Sequence, residues 1–430
     1  MYHRRGINRP LTHRASLAEW RHGWRLVLLT VIGVTCVPTT LPVYTIGLFV
    51  APLQADFGWS RGAIQGAILC STGLGIAGGP IAGWLVQRIG LKRAILSGLV
   101  GMGCALASAA TIQGALWQLY LAYALIALIG AGTSAVTWSC LIAERFSASR
   151  GLALGLALSG SGLSAVLMPR LVMLGMELDG WRTAYLLLAG FPLLIVLPLC
   201  ALMLPRDGAR DSKSKVGGRA REAAPPALAR SGLPLSIVLR DRRFWLMGAS
   251  TAAIYLAVGG LIPNLVPALG DRGLPLAQAV SIMGVLGGAI IAGRILVGLL
   301  IDHVWAPLIA TIILLPAAGA CLLMTSETSF VAYAVAAALL GAATGMEFDM
   351  LGFLVARYFG LADFARIYGR LYMFVAAAAG AAPLAYGALF DHLRNYDIAF
   401  ILSALLLTSG AAGLLALGRY PADINDAKPA

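Results

Sequence analysis

A few charged side chains stand where charge is costly. Arg294 lies inside the run from Ala277 to His303, which is otherwise almost wholly apolar. Glu347 and Asp349 lie in GAATGMEFDMLGF, and Arg170 follows Met168 and Pro169 in another apolar run. A guanidinium is a planar fork of donors that suits two parallel bonds to a carboxylate. An acid within an apolar segment is a proton-relay candidate by default. Together these residues describe an anion site with a proton-exchanging partner. Other uses of the same groups are open. Arg294 can snorkel to an interface or pair internally. Glu347 and Asp349 can serve salt bridges or helix–helix hydrogen bonds, and Arg170 can pair with Glu177 or Asp179. Being two residues apart, Glu347 and Asp349 differ by about 200° around a helix, so at most one points directly into a central cavity. Tyr44, Trp138, Tyr255 and Tyr372 add apolar rings with a polar edge, suited either to a substrate path or to packing.

The elements that must hold these groups are set by composition. Of 430 residues, 59% are hydrophobic and only 12% charged, and the mean hydropathy is +0.83. An average soluble domain carries about 25% charged residues, so the chain has too few to cover a water-facing surface. Runs near the ~20 apolar residues needed to cross a bilayer recur over 24–50, 60–86, 94–112, 116–140, 152–175 and 183–204. They resume over 244–269, 277–301, 306–324, 330–356, 367–390 and 399–417. The expected fold is an all-α membrane protein of about twelve transmembrane helices. Small-residue stretches such as GAGTS at Gly130 and SGSG at Ser159 suit close helix–helix packing.

The net charge of +13 is explained by topology. Arg4, Arg5, Arg9, Arg14, Arg21, Arg25, Arg88, Lys92, Arg93, Arg145, Arg150, Arg357, Arg366 and Arg419 fall in alternate connections, while the stretches near Thr111 and Glu327 lack cations. The positive-inside rule places both termini in the cytoplasm, and no nucleic-acid partner is needed. The expected divisions are a basic tail (1–23), a first six-helix bundle (24–204), a polar linker (205–243), a second bundle (244–418) and a short tail (419–430). The linker, with its DGARDSKSKVGGRAREAAPP, reads as flexible and solvated. The basic N-terminal tail lacks the apolar core of a removable signal peptide. Six cysteines occur singly in apolar runs, which points to neither a disulfide framework nor a zinc site. Neither a phosphate-binding G-x-x-x-x-G-K-[ST] loop nor a hydrolase G-x-S-x-G elbow occurs. We therefore expect no enzyme activity and no cofactor.

The two halves repeat. The segment beginning at Gly58 aligns with that beginning at Gly273 at a shift of 215 residues, which sets Gly83 on Gly298. GWRTAY at Gly180 aligns with NYDIAF at Asn395 at the same shift, and RFS at Arg145 with YFG at Tyr358 at a shift of 213. Duplicated six-helix bundles are a hallmark of secondary transporters, with substrate sites at the repeat interface near the bilayer midplane.

GWLVQRIGLKR, opening at Gly83, resembles the loop between the second and third helices of the major facilitator superfamily. Gly83, Arg88, Gly90, Lys92 and Arg93 match its pattern, and Gln87 replaces the usual Asp. GLLIDH repeats its start with Gly298 and Asp302. The resemblance implies a conformational latch across the bundle interface. Without a charge, Gln87 makes a weaker bond than an acid would. FGWSR (57–61), GWR (180–182), GRILVGLLID, ARYFG from Ala356, RIYGRLY from Arg366, Pro383 and GALFD from Gly387 resemble the branch of monocarboxylate transporters and oxalate–formate antiporters. That branch implies transport of small carboxylates, often with protons, and a carboxylate-binding arginine at the place of Arg294. Its monocarboxylate members often carry an Asp one turn earlier, where this chain has Ile290.

The expectation is a monomeric transporter in the plasma membrane (the bacterial inner membrane), moving a mono- or dicarboxylate by alternating access. Arg294 would meet the anion, with Arg170 as a second contact, and Glu347 or Asp349 would carry the coupling proton. The competing readings are an exporter of neutral or cationic molecules with Glu347 and Asp349 as binding charges, and a membrane sensor on a transporter scaffold.

Overall fold

The computed structural model describes residues 9–146, 149–204, 232–301, 303–326 and 329–421; within these, the side chains at 9–18, 22, 76–79, 150, 347–349 and 365 lie outside the description. Among the described residues the regular structure is helical, apart from one bridge between Gly232 and Gly360.

The twelve apolar runs become twelve helical spans in two sets of six. Those of the second half are Arg242–Asp271 (seventh), Leu276–Leu300 (eighth), Ala306–Ser326 (ninth), Phe330–Phe359 (tenth, bent within its length), Phe364–Leu393 (eleventh) and Asp397–Leu415 (twelfth). In the first half only the third, Leu91–Ala109, is unbroken. The first is Arg9–Val34 followed by Leu41–Phe57; the second is Arg61–Gln65, a π turn at Leu69–Gly73, then Gly75–Ile89. The fourth is Leu116–Ile129 and Ala135–Arg145, the fifth Arg150–Leu158 and Gly160–Asp179. The sixth is Trp181–Gly190, a π turn at Phe191–Val196 and Leu197–Met203.

The breaks have sequence causes. Pro38 and Pro42 cannot donate to the ladder where the first span divides. Pro192 opens the π turn of the sixth, and the Leu197 N–H reaches back to the Pro192 carbonyl. Eight helices are long and apolar enough by themselves to cross a membrane, and the tenth qualifies as Phe330–Met346 plus Met350–Phe359, set at 41°. Gly23–Val34, Leu41–Phe57 and Leu116–Ile129 are shorter apolar helices. The difference from twelve long rods is thus one of continuity. The outer surface is apolar: Leu202 is 84% and Leu194 77% exposed. Such faces suit acyl chains and would be a liability in water.

Alternating direction puts the turns after the first, third, fifth, seventh, ninth and eleventh spans on one face, the far face. The other turns, with the ends of segment 205–243, share the linker face. Gly58 and Gly273, equivalent in the repeat, both take left-handed φ values, 68° and 84°, where a side chain would be strained. Two differences from expectation appear on the linker face. The first helix begins at Arg9, inside the expected tail, and its Glu19 carboxylate accepts from the Ser149 N–H at 3.2 Å and hydroxyl at 3.0 Å. The end of the expected linker is also folded: the Leu233 N–H donates to the Phe359 carbonyl at 2.9 Å, and Leu235 N–H to the Asp363 carboxylate at 2.9 Å. The remainder of that linker, 205–231, is outside the described residues.

The halves meet along three seams: first span on seventh, second on eleventh, fifth on eighth.

Candidate functional site between the fifth and eighth spans

The fifth and eighth spans cross backbone to backbone at Gly162 and Gly287. A Cβ on Gly162 would lie 2.6 Å from the Gly287 carbonyl oxygen, and one on Gly287 would lie 2.5 Å from that of Gly162. One and a half to two turns toward the linker face from Gly287 stands Arg294, 5% exposed. Its Nη1 donates to the Leu158 carbonyl, across the seam. That carbonyl is available because the fifth span breaks there. The Gly162 N–H, its normal helical donor, turns to the Ser159 carbonyl instead at 3.0 Å, and the Ser161 hydroxyl donates to the Leu158 carbonyl beside Arg294 at 3.1 Å. A cation therefore faces the carbonyl end of a helical piece, where a cation is favoured.

Arg170 lies on the same seam toward the far face. Its Nη2 is 3.3 Å from where a Cβ on Gly284 would sit. Ten residues of helix, about 15 Å, separate Gly284 from Arg294, so the two arginines mark different depths. Among the described residues no ion pair joins Arg170 to Glu177 or Asp179; Asp179 accepts from Thr183 Oγ1 at 3.4 Å.

Glu347 and Asp349 belong to the helical backbone of the tenth span, but their side chains are outside the described ones. Tyr255, nearly buried, lines a cavity of about 10 Å³ with Met346 and Met350, room for about one water. Tyr372 is half-buried and stacks on Tyr368, ring centroids 6.1 Å apart, and Tyr368 stacks on Phe364 at 5.7 Å. This ladder follows the i, i+4 face of the eleventh span. Tyr44 is buried in the second piece of the first span. Trp138 is fully buried, and its indole N–H is committed to Thr133 Oγ1 at 3.0 Å and the Thr133 carbonyl at 3.2 Å. Its ring lies against Gly33, within 2.2 Å of where a Cβ would be. Packing inside the first half accounts for it.

The loop at Gly83 is open. Gln87, Arg88 and Arg93 are exposed, and no atom lies within 4 Å of a Cβ added at Gly83 or Gly298. Arg88 rests over the Trp84 ring at 5.2 Å. Gly90 (φ 88°) makes the turn between helices. Lys92 closes the C-terminal end of the sixth span, where its Nζ donates to the Ala201 and Leu204 carbonyls, each at 2.7 Å. Asp302 lies outside the described residues.

On the far face the structure brings together a group to which the sequence reading assigned no role. Arg61 Nη1 and Nη2 donate to the two Asp271 oxygens at 2.6 and 2.8 Å, joining the second span to the seventh. Arg61 Nη1 also reaches Tyr396 Oη at 3.4 Å, Nε reaches Gln54 Oε1 at 3.3 Å, and the guanidinium lies 3.7 Å over the Phe390 ring. Burial pushes the Tyr396 hydroxyl up to about 12, so it stays neutral and donates to Asn264 Oδ1 at 3.2 Å. Asp391 accepts from the backbone N–H of Arg61 at 3.0 Å and of Gly62 at 2.8 Å.

Two six-helix halves meeting through the first, second and fifth spans on the seventh, eleventh and eighth are the architecture of a membrane transporter. The match to the Major Facilitator Superfamily over residues 24–333 agrees, and the chain belongs to that superfamily. Its relatives carry a narrower name. It is 28% identical over 429 residues to "Monocarboxylate transporter 13" of Bos taurus, covering 95% of this chain and 92% of that one. It is 30% identical over 379 residues to "Monocarboxylate transporter 3" of Rattus norvegicus, covering 83% and 72%. Among solved structures, a bacterial homologue of the human lysosomal transporter Spinster has the same fold, with a TM-score of 0.64, 16% identity and coverage of 94% and 97%. The chain is a multi-pass integral membrane protein of the transporter class.

Proposed function

We propose that the protein is a secondary active transporter of a small organic anion, a mono- or dicarboxylate, moved by alternating access and coupled to protons. The observation that carries this is Arg294: a buried guanidinium on the seam between the halves, held by a backbone carbonyl that an incoming carboxylate can replace. A central arginine costs about 2.5–3.5 kcal/mol on insertion scales, which favours a use for it. The relatives' names support the substrate class.

The tenth span supplies the proton partner in this reading. A Cβ on Gly341 would meet the Leu286 carbonyl at 2.3 Å, and one on Gly345 would meet that of Ile290 at 2.4 Å. A Cβ on Gly293 would in turn lie 2.8 Å from the Ala342 carbonyl oxygen, so the eighth and tenth spans pack closely side by side. A Cβ on Gly345 would also lie 3.0 Å from the Arg294 nitrogen, so the stretch that carries Glu347 and Asp349 begins beside Arg294. An acid in the tenth span then takes the part that Ile290 cannot. In this reading the linker face, rich in cations, is the cytoplasmic one, and Arg61 with Asp271 and Asp391 holds the far face together.

The test is uptake of labelled lactate into proteoliposomes across external pH. Arg294→Ala loses a charge-assisted bond pair worth about 1.5–3 kcal/mol per bond, so uptake falls at least about tenfold. Wild-type uptake rises as external pH falls, because the protonated acid accompanies the anion, and Asp349→Asn or Glu347→Gln flattens that profile. Unchanged profiles in both remove the proton role. Flux of lipophilic cations, with lactate untouched by Arg294→Ala, favours the exporter reading instead.

A further inference from the structure

We propose that Arg61, with Asp271 and Asp391, is the lock of the far-face gate, broken and remade once in each transport cycle. This assignment does not depend on the identity of the substrate.

Four observations carry it. First, the contacts join the halves where the far mouth must open. Arg61 and Gly62 begin the second span; Asp271 ends the seventh, and Asp391 ends the eleventh. Bidentate and charge-assisted bonds are the strong ones, and this group carries both. Second, the surfaces behind the lock are smooth. A Cβ on Gly62 would lie 2.9 Å from the Ala388 nitrogen, and one on Gly387 2.8 Å from the Gly62 Cα. At this crossing backbone meets backbone, so no side chain of these glycines has to be withdrawn for the plane to part. Deeper on the same span, Gln65 Nε2 donates to the Pro263 carbonyl of the seventh span at 2.9 Å. That carbonyl lacks its helical donor because residue 267 is also proline, and water can serve it when the gate opens.

Third, water reaches the lock. The Arg61 and Asp271 side chains are 14% and 35% exposed. A pair at this boundary exchanges its bonds for water far more readily than a fully buried one. Fourth, the lock was not inherited from the duplication. At the shift of 215, Arg61 corresponds to Leu276 and Asp391 to Met176. The counterpart of Asp271 is Asp56, which stays within its own half, accepting from Trp181 Nε1 at 2.7 Å and facing Arg182 at 3.8 Å. General packing would appear in both copies; a lock is needed once.

The experiment places spin labels at Gln113 and Gln278, exposed on the far face of opposite halves, in cysteine-free protein in nanodiscs. A second pair, at Gln87 and His303, reports the linker face. Pulsed dipolar distances are measured for Arg61→Ala, Arg61→Lys and the isosteric pair Asp271→Asn/Asp391→Asn. Release of a lock gives a longer far-face distance and a shorter linker-face distance in Arg61→Ala and in the double variant, with Arg61→Lys between them and wild type. Unchanged far-face distances in both variants overturn the proposal. A longer far-face distance with no linker-face change also overturns it, because that is local loosening. Should Arg61→Ala fail to fold, the double variant, which keeps shape and hydrogen-bonding capacity, decides alone.

Discussion

Arg294 and Trp138 are both polar side chains buried in apolar helices, and their bonds separate their roles. The indole N–H of Trp138 is spent on Thr133, five residues away in its own half. The guanidinium of Arg294 is spent on a carbonyl 136 residues away, across the seam that must move. The first bond is internal to one half, while the second joins the two halves and, under the proposed alternating access, would change as they rock. Truncating Trp138 therefore acts through stability. Phe/Trp→Ala in a packed core costs about 3–5 kcal/mol, so Trp138→Ala lowers the thermal unfolding midpoint in detergent and the yield, while the lactate KM of the surviving protein stays near wild type. A KM change with unaltered unfolding would place Trp138 on the substrate path instead. At this scale the charges were legible, because an arginine in an apolar run stands out from its neighbours by type alone. Their partners were not. Leu158 is an apolar residue, and nothing in its type announces a carbonyl released by a break in the fifth span.

At the scale of elements, the apolar runs located the spans but not their interruptions. Pro38, Pro42 and Pro192 were visible, and each sits at a break or π turn. The interruption at Ser159 has no proline. It exists where Gly160 and Gly162 approach neighbouring backbones: a Cβ on Gly160 would lie 2.2 Å from the Val31 carbonyl, and one on Gly162 2.6 Å from that of Gly287. Small residues there do form close-packing faces, but which helix they face is a tertiary matter. Gly162 is the sharper test, since its neighbour belongs to the other half. Gly162→Leu drives a branched side chain into the Gly287 backbone. The expected outcome is loss of most lactate flux, with cross-linking between cysteines placed on the fifth and eighth spans weakened and expression retained. Wild-type flux in Gly162→Leu would show that the seam does not need this closeness. Lys92 carries a related lesson. It reads as part of a latch by its loop, and its ammonium also closes the end of the sixth span.

For the whole molecule, the duplication is written in the constant shift of 215 and is repeated in the structure. Asp56 faces Arg182 at 3.8 Å in the first half, and Arg272 meets Asp397 at 2.5 Å in the second. Positions 182 and 397 are equivalent with the sign of charge reversed, while their partners are one step out of register, since Asp56 corresponds to Asp271 and not to Arg272. Each ties the end of a half's first span to the start of its last, and both pairs are partly exposed, so they orient rather than stabilise strongly. The cations of the alternate turns predict a cytoplasmic linker face. In intact cells, a cysteine at Gln87 is expected to escape an impermeant thiol reagent until the membrane is permeabilised, and one at Gln113 to react from outside. The opposite labelling would invert the topology.

Length, hydropathy and the spacing of turns were enough to determine a two-fold repeated, twelve-span membrane fold, because the bilayer demands long apolar helices and leaves their imprint in composition. The repeat, the alternation of charge and the presence of an intramembrane arginine belong to the same order of information. Only the tertiary structure decided which carbonyl Arg294 holds, that Lys92 closes a helix end, and that Arg61 meets Asp271 and Asp391 from the other half. Those contacts join residues 136, 109, 210 and 330 positions apart. Local pattern carries no record of such distances: a hydrogen bond depends on where two backbones arrive, and arrival is set by the packing of all twelve helices at once.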